Sequence, residues 1–177
     1  MGGEMINERR RGQLWAVGII ILLAFTLSSS FALAQTKKPA ARMVRGGWVL
    51  NCATPQKKLR CKVSQSVVLG KTGQLLISVT VRKPEKSKPP AMMIHLPHGL
   101  YLPAGVSVAF DKGKTEKIPV QTSDAKGAYA GLPLTGNHLK ALQTGKTLTI
   151  TFQNLKKKNI VVPLPLNGFS ESFKKLS

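Results

Sequence analysis

Short runs of alternating apolar and polar residues, each closed by a polar or glycine-containing turn, recur from Gly46 to the C-terminus. The clearest is "KTLTITFQ", residues 146–153, with Leu148, Ile150 and Phe152 on one side and threonines on the other. A period of two sends successive side chains to opposite faces of a strand, so such a run can bury one face and wet the other. Leu75, Ile77, Val79 and Val81 repeat the pattern against Ser78, Thr80 and Arg82. Val106, Val108 and Phe110 repeat it against Ser107 and Ala109. Trp48, Leu50 and Cys52 alternate with Val49 and Asn51; after a polar turn from Thr54 to Leu59, Cys61, Val63 and Val67 resume. Ala91 to Leu96, Ile118 to Gln121, Ala128 to Leu132 and Ile160 to Leu166 are further strand candidates. In the last, Pro163 and Pro165 remove donors from one side, which marks an edge or a bulge. Seven to nine short strands with polar turns predict an all-β, antiparallel β-sandwich.

Helical spacing is confined to short windows. Thr135 to Gln143 places Leu139 and Leu142 on one face, with a threonine to cap the start and Gly145 beyond the end. Phe169, Phe173 and Leu176 lie at i, i+4 and i+7, which predicts a short helix closing the core. No repeat of 20 residues or more is present, which excludes solenoids and propellers.

The N-terminus is built differently. Arg9, Arg10 and Arg11 precede an uncharged apolar run from Leu14 to Leu27, and Ala32-Leu33-Ala34 supplies a small-x-small cleavage site before Gln35. This is the layout of a secretory signal peptide. A membrane anchor needs about 20 apolar residues, and this run is shorter. The expected organisation is a cleaved leader over 1–34, a disordered basic lead over 35–45, and one β-sandwich domain over 46–177. The protein is expected to be exported, and either periplasmic, associated with the outer membrane or secreted. Cys52 and Cys61 then face an oxidising compartment, where an even pair is most simply a disulfide. It ties the two arms of a hairpin, and Trp48, on the same face as Cys52, is expected to pack over the sulfurs.

Charge is the other constraint on function. The chain has 27 basic and 7 acidic residues; without the leader's three arginines and two glutamates, 24 and 5 remain. Such a field draws anionic partners at long range but says nothing of fold. Twenty of the 24 are lysines, hydrated point charges suited to diffuse attraction rather than to a shaped phosphate site. The clusters are Lys57, Lys58, Arg60 and Lys62; Lys83, Lys86 and Lys88; Lys112, Lys114 and Lys117; and Lys156, Lys157 and Lys158. All map to turns or strand ends. Single-strand binders set aromatics between such charges as stacking platforms. Here Tyr101 and Tyr129 are the only tyrosines and the phenylalanines fit core positions, so no specific nucleic-acid partner is expected.

Catalytic chemistry finds little to work with. The acids Glu85, Asp111, Glu116, Asp124 and Glu171 all fall in turn-like, lysine-flanked or helix-surface contexts, where solvated charge is the default. No nucleophile elbow, phosphate loop or dinucleotide fingerprint is present. His95 and His98 form a His-x-x-His pair around Pro97, but no third ligand is indicated, so neither a metal nor a cofactor is expected. In "LPHGLYLPAG", residues 96–105, prolines fix φ and glycines permit turns, which predicts a double bend between two strands. Leu100 and Leu102 would anchor it to the core, leaving His98 and Tyr101 as candidates for contact with a partner.

Three groups of residues occur in a fixed order: Gly47-Trp48-x-x-x-Cys52 with Cys61 and Gln65; Leu96-Pro97-x-Gly99-Leu100-x-Leu102-Pro103-x-Gly105-Val106; and Phe152-Gln153 with Pro163-Leu164-x-Leu166-x-Gly168-Phe169, followed by Leu176. In that order they resemble the opening, the central signature and the end of the invasion-associated locus B family of exported bacterial proteins. The resemblance implies an immunoglobulin-like β-sandwich with one or two short helices, periplasmic or associated with the outer membrane, and in some pathogenic members a link to host-cell entry. It implies no catalytic residues. Members commonly carry a second cysteine pair in the region corresponding to Gln121 to Ala128, and this chain has none there.

The leading expectation is a non-enzymatic exported protein that binds an anionic envelope or host-surface component through its lysine-rich loops, membrane-peripheral at most. The alternative is a protein–protein interaction module, an adhesin, invasion factor or chaperone-like periplasmic partner. A small metal-binding protein using His95 and His98 is the third.

Overall fold

Each alternating run forms a strand because one face finds an apolar layer and the other finds water. The computed structural model describes residues 43–54, 59–84 and 88–176. They form eleven strands: β1 Met43–Arg45, β2 Val49–Ala53, β3 Arg60–Leu69, β4 Leu75–Arg82, β5 Ala91–Leu96, β6 Val106–Phe110, β7 Glu116–Ile118, β8 Thr122–Asp124, β9 Gly127–Pro133, β10 Thr147–Gln153 and β11 Asn159–Pro165. Two short helices, α1 Gly136–Thr144 and α2 Phe169–Lys174, complete the described chain, with a 3-10 turn at Leu102–Ala104. Every strand pairing is antiparallel. The larger sheet runs β3-β4-β5-β9-β8, with β1 and β2 sharing the outer edge of β3; the smaller runs β11-β10-β6-β7. This is the β-sandwich expected from the alternation. The expected leader and most of the basic lead lie outside the described residues, but β1 shows that pairing begins by Met43. No described helix is long and apolar enough to cross a membrane.

Two features raise the strand number above nine. The edge strand beside β3 is interrupted by Gly46-Gly47-Trp48, so β1 pairs with Arg45↔Val67 and β2 with Val49↔Ser64. The buried Gln65 side chain fills the break, its amide donating to the Gly46 carbonyl at 2.7 Å. The single strand expected over Ile118 to Gln121 is instead the corner between β7 and β8, which belong to different sheets. Pro119 lacks the donor needed to continue either ladder.

The core lies between the sheets. Val63, Val67, Ile77, Val79, Val81, Met92 and Ile94 face Val106, Val108, Leu148, Ile150, Val162 and Leu164, and all are fully buried. Each such side chain contributes about 1.5–3 kcal/mol relative to exposure. Helix α1 starts where Thr135 accepts from the His138 amide and brings Leu142 into the core. Helix α2 brings Phe169.

The β11 prolines mark an edge, as their spacing predicts. Thr147↔Pro165 and Thr149↔Pro163 are directly opposed, and the proline carbonyls accept from side chains across the sandwich. Arg45 Nε donates to Pro163 O at 2.7 Å, and Trp48 Nε1 donates to Pro165 O at 2.9 Å. Trp48 also meets Phe169 edge-on, with centroids 4.9 Å apart. This corrects the expected tryptophan-on-disulfide packing: Cys52 is exposed, four residues farther along the edge. Cys52 and Cys61 are bridged, directly opposed in register, with Cα atoms 4.0 Å apart.

The "LPHGLYLPAG" segment is the double bend its prolines and glycines require. Gly99 and Gly105 both have positive φ, 80° and 67°, and a Cβ on Gly105 would stand 2.6 Å from the Ile118 carbonyl oxygen. Leu100 is half-buried and bridges to Asn154. Leu102 is not an anchor, contrary to expectation; it is 46% exposed because the 3-10 turn carries it outward.

Candidate functional site

The sheet register sorts the basic residues by position. Lys62 is opposite Arg82, and Arg82 opposite Ala91, so Arg60, Lys62, Lys83 and Lys88 collect where β3 begins and β4 ends. Lys112 and Lys114 lie in the β6–β7 turn at the same end. The path between them is short: Leu134 N–H donates to Pro90 O at 2.8 Å, α1 follows, and His138 stacks on Phe110. Lys156, Lys157 and Lys158 occupy the β10–β11 turn at the opposite end, and Lys117 sits on β7 opposite Ser107. Lys57, Lys58 and Lys86 lie outside the described residues. The described clusters therefore form two groups, one at each end, rather than a single patch.

Asp111, Glu116 and Asp124 differ from the free solvated charges expected of them, while Glu85 lies outside the described residues. Asp111 accepts the amides of Lys146 and Thr147 at 2.9 and 2.8 Å, tying β6 to the start of β10. Glu116 holds His138 Nε2 at 3.0 Å. Asp124 accepts the Lys126 amide at 2.8 Å and the Tyr129 hydroxyl at 3.1 Å. The Lys126 amide, reinforced by the Tyr129 hydroxyl and outweighing some desolvation, holds the Asp124 carboxyl below its ordinary value. Partial desolvation and the same carboxylate push the Tyr129 phenol up. Glu171 stands in the first turn of α2, where the helix dipole favours it. Among the described residues no Lys or Arg is paired with a described Asp or Glu.

The histidines have structural partners. His95 Nε2 lies 3.0 Å from the Lys126 carbonyl, and His98 Nε2 lies 3.2 Å from that of Ala125. A carbonyl only accepts, so each Nε2 carries a proton and donates. Both rings therefore clamp the β8–β9 turn rather than converging on one point, and His95 also stacks on Tyr129 at 4.7 Å. Among the described residues no group of three or more His, Cys, Asp or Glu side chains is placed to hold a metal ion. The two contact candidates part company: His98 is exposed beside this turn, whereas Tyr101 is half-buried beneath Lys157, whose Nζ lies 5.0 Å from the ring centroid. An open groove of about 570 Å³ runs beside the 3-10 turn, lined by Leu102, Pro103, Gly105 and Lys117 to Val120.

The family model of the invasion associated locus B (IalB) protein matches residues 48–177. The chain belongs to the IalB family. Trp48, both cysteines, Gln65, the double bend and the β11 prolines all fall inside the matched span. Among solved structures, the crystal structure of invasion associated protein B from Bartonella henselae is similar in fold, with a TM-score of 0.62 at 21% identity. The alignment covers 75% of this chain and 92% of that one. Comparison with curated proteins found no match. Against the IalB resemblance, the missing second cysteine pair falls in the β8–β9 hairpin. Asp124, Tyr129, His95 and His98 hold that hairpin by hydrogen bonds instead.

Arg82, which the sequence does not single out as a candidate, joins the basic residues around Lys62. Its outward parity was visible, but its place beside Lys62 depends on the β3–β4 register, which no local pattern fixes.

Proposed function

We propose that this IalB-family protein is an exported, non-enzymatic protein that holds an anionic envelope or host-surface component through its lysine-rich loops. The observation that carries the reading is the placement of charge. Asp111, Glu116 and Asp124 are engaged by the protein's own amides, His138 and Tyr129, while the described lysines and arginines have no described carboxylate partner. The positive field is therefore left facing outward, and it favours polyanions at long range. The signal-like N-terminus and the Cys52–Cys61 bridge support export into an oxidising compartment, periplasmic, outer-membrane-associated or extracellular.

Binding of the protein to lipopolysaccharide, anionic vesicles and a sulfated glycan tests this, measured between about 20 and 300 mM salt. Affinity for at least one of them at low salt, falling steeply as salt rises, is expected, because exposed charges are screened beyond about 10 Å at 0.1 M. Absence of binding to all three at the lowest salt overturns the reading.

A further inference from the structure

Three cations share one outward spot on the large sheet. Arg60 and Lys62 stand two residues apart on β3, so they point to the same face about 6.6 Å apart. That face is the outer one, since Val63 and Val81 in the adjacent row are fully buried. Arg82 on β4 is directly opposite Lys62, about 4.8 Å away across the ladder. Like charges directly opposed in a sheet destabilise it, and no described carboxylate lies within ion-pair distance of the three. The adjoining outward positions in the same row are Asn51 beside Lys62 and Ala91 beside Arg82, one a neutral hydrogen-bonding group and the other a small side chain that leaves room. Arginine is scarce here: Arg45, Arg60 and Arg82 are the described ones, Arg45 is engaged by Pro163, and the other two meet at this spot.

We infer that Arg60, Lys62 and Arg82 form a discrete oxyanion site for the phosphate or sulfate monoester groups of a surface glycan. Two guanidinium forks offer bidentate hydrogen bonds that a tetrahedral oxyanion can accept together, with Lys62 as a point charge between them. Binding there relieves the repulsion that the strand register imposes. The inference rests on the anion-binding reading above and sharpens it from a diffuse coat to a shaped site.

The test compares three variants by titration with a heparin-derived hexasaccharide, a phosphorylated core oligosaccharide and polygalacturonate, which carries only carboxylates. R60Q/K62Q/R82Q removes the site; K156Q/K157Q/K158Q removes the same charge at the other end; R60K/R82K keeps the charge but not the forks. Expected is at least a tenfold loss of affinity for the sulfated or the phosphorylated sugar in the first variant. The second should lose less than threefold and the third at least threefold. Whichever sugar responds identifies sulfate or phosphate as the natural group. Equal losses in the first two variants, no loss in the third, or equally tight binding of polygalacturonate overturns the shaped site and leaves diffuse attraction standing. No binding of any probe by the unaltered protein at low salt overturns both. Thermal unfolding of each variant checks the fold, and stability unchanged or raised is expected of R60Q/K62Q/R82Q because a like-charge contact is removed.

Discussion

Trp48 joins two jobs in one side chain: its ring is buried against Phe169, and its N–H satisfies the Pro165 carbonyl on the opposing sheet's edge. The two contributions are separable. Trp48→Phe keeps most of the apolar area but leaves the carbonyl to find water, and should cost about 1–1.5 kcal/mol in urea unfolding. Trp48→Ala loses the packing as well and should cost about 3–5 kcal/mol. If both substitutions cost the same, the hydrogen bond rather than the ring is the main contribution. Gln65 is the companion residue. It is 2% exposed, on the inward face between Val63 and Val67, and donates to Gly46 across the break in the edge strand. Its Oε1 has no partner among the described residues. Period two places Gln65 on the inward face with Val63 and Val67, but periodicity gives no reason for a polar side chain there. Only the interruption at Gly46-Gly47 explains why an amide is wanted inside.

At the scale of elements, two hairpins of the large sheet, β2–β3 and β8–β9, are fastened by different chemistry. The β2–β3 hairpin has the disulfide, which closes a loop of about ten residues and contributes about 2.5 kcal/mol on the chain-entropy estimate. Cys52→Ala/Cys61→Ala should lower the unfolding free energy by about that amount, and reduction of the unaltered protein should match it. The β8–β9 hairpin relies on Asp124. Its folded pKa lies below the ordinary 3.8, so the stability it adds is present above about pH 4 and is lost as pH falls through the lowered value. The Lys126 amide should therefore exchange faster with solvent below that point, relative to core amides, and Asp124→Asn should abolish the change; exchange followed by NMR decides it. The sequence was legible where the signal is local. Alternation located β3, β4, β6, β10 and β11, the threonine cap located α1, and paired cysteines located a bridge. What stayed hidden were the β7–β8 corner and Arg82 beside Lys62, which depend on which strand lies next to which, and the exposure of Leu102, which follows from the 3-10 turn that carries it outward.

For the molecule as a whole, the same shortage of carboxylates that suits it to anionic partners also acts on its stability. Twenty-seven basic residues against seven acidic ones give a net charge of +20 for the chain, and Asp111, Glu116 and Asp124 are engaged in local bonds rather than spread among the lysines. A compact state with such an imbalance repels itself, and the repulsion is strongest where the Debye length is long. Salt should therefore stabilise this protein, the opposite of what holds for a fold dependent on surface ion pairs. Raising sodium chloride from about 10 to 150 mM should raise the melting temperature by a few degrees, on the order of 1 kcal/mol. The gain should be smaller in R60Q/K62Q/R82Q, where one focus of the repulsion is gone, than in the unaltered protein. Calorimetry on the two proteins across that salt range settles the matter: a melting temperature that falls with salt would mean that the positive charges are compensated within the fold, leaving no surplus for a polyanion.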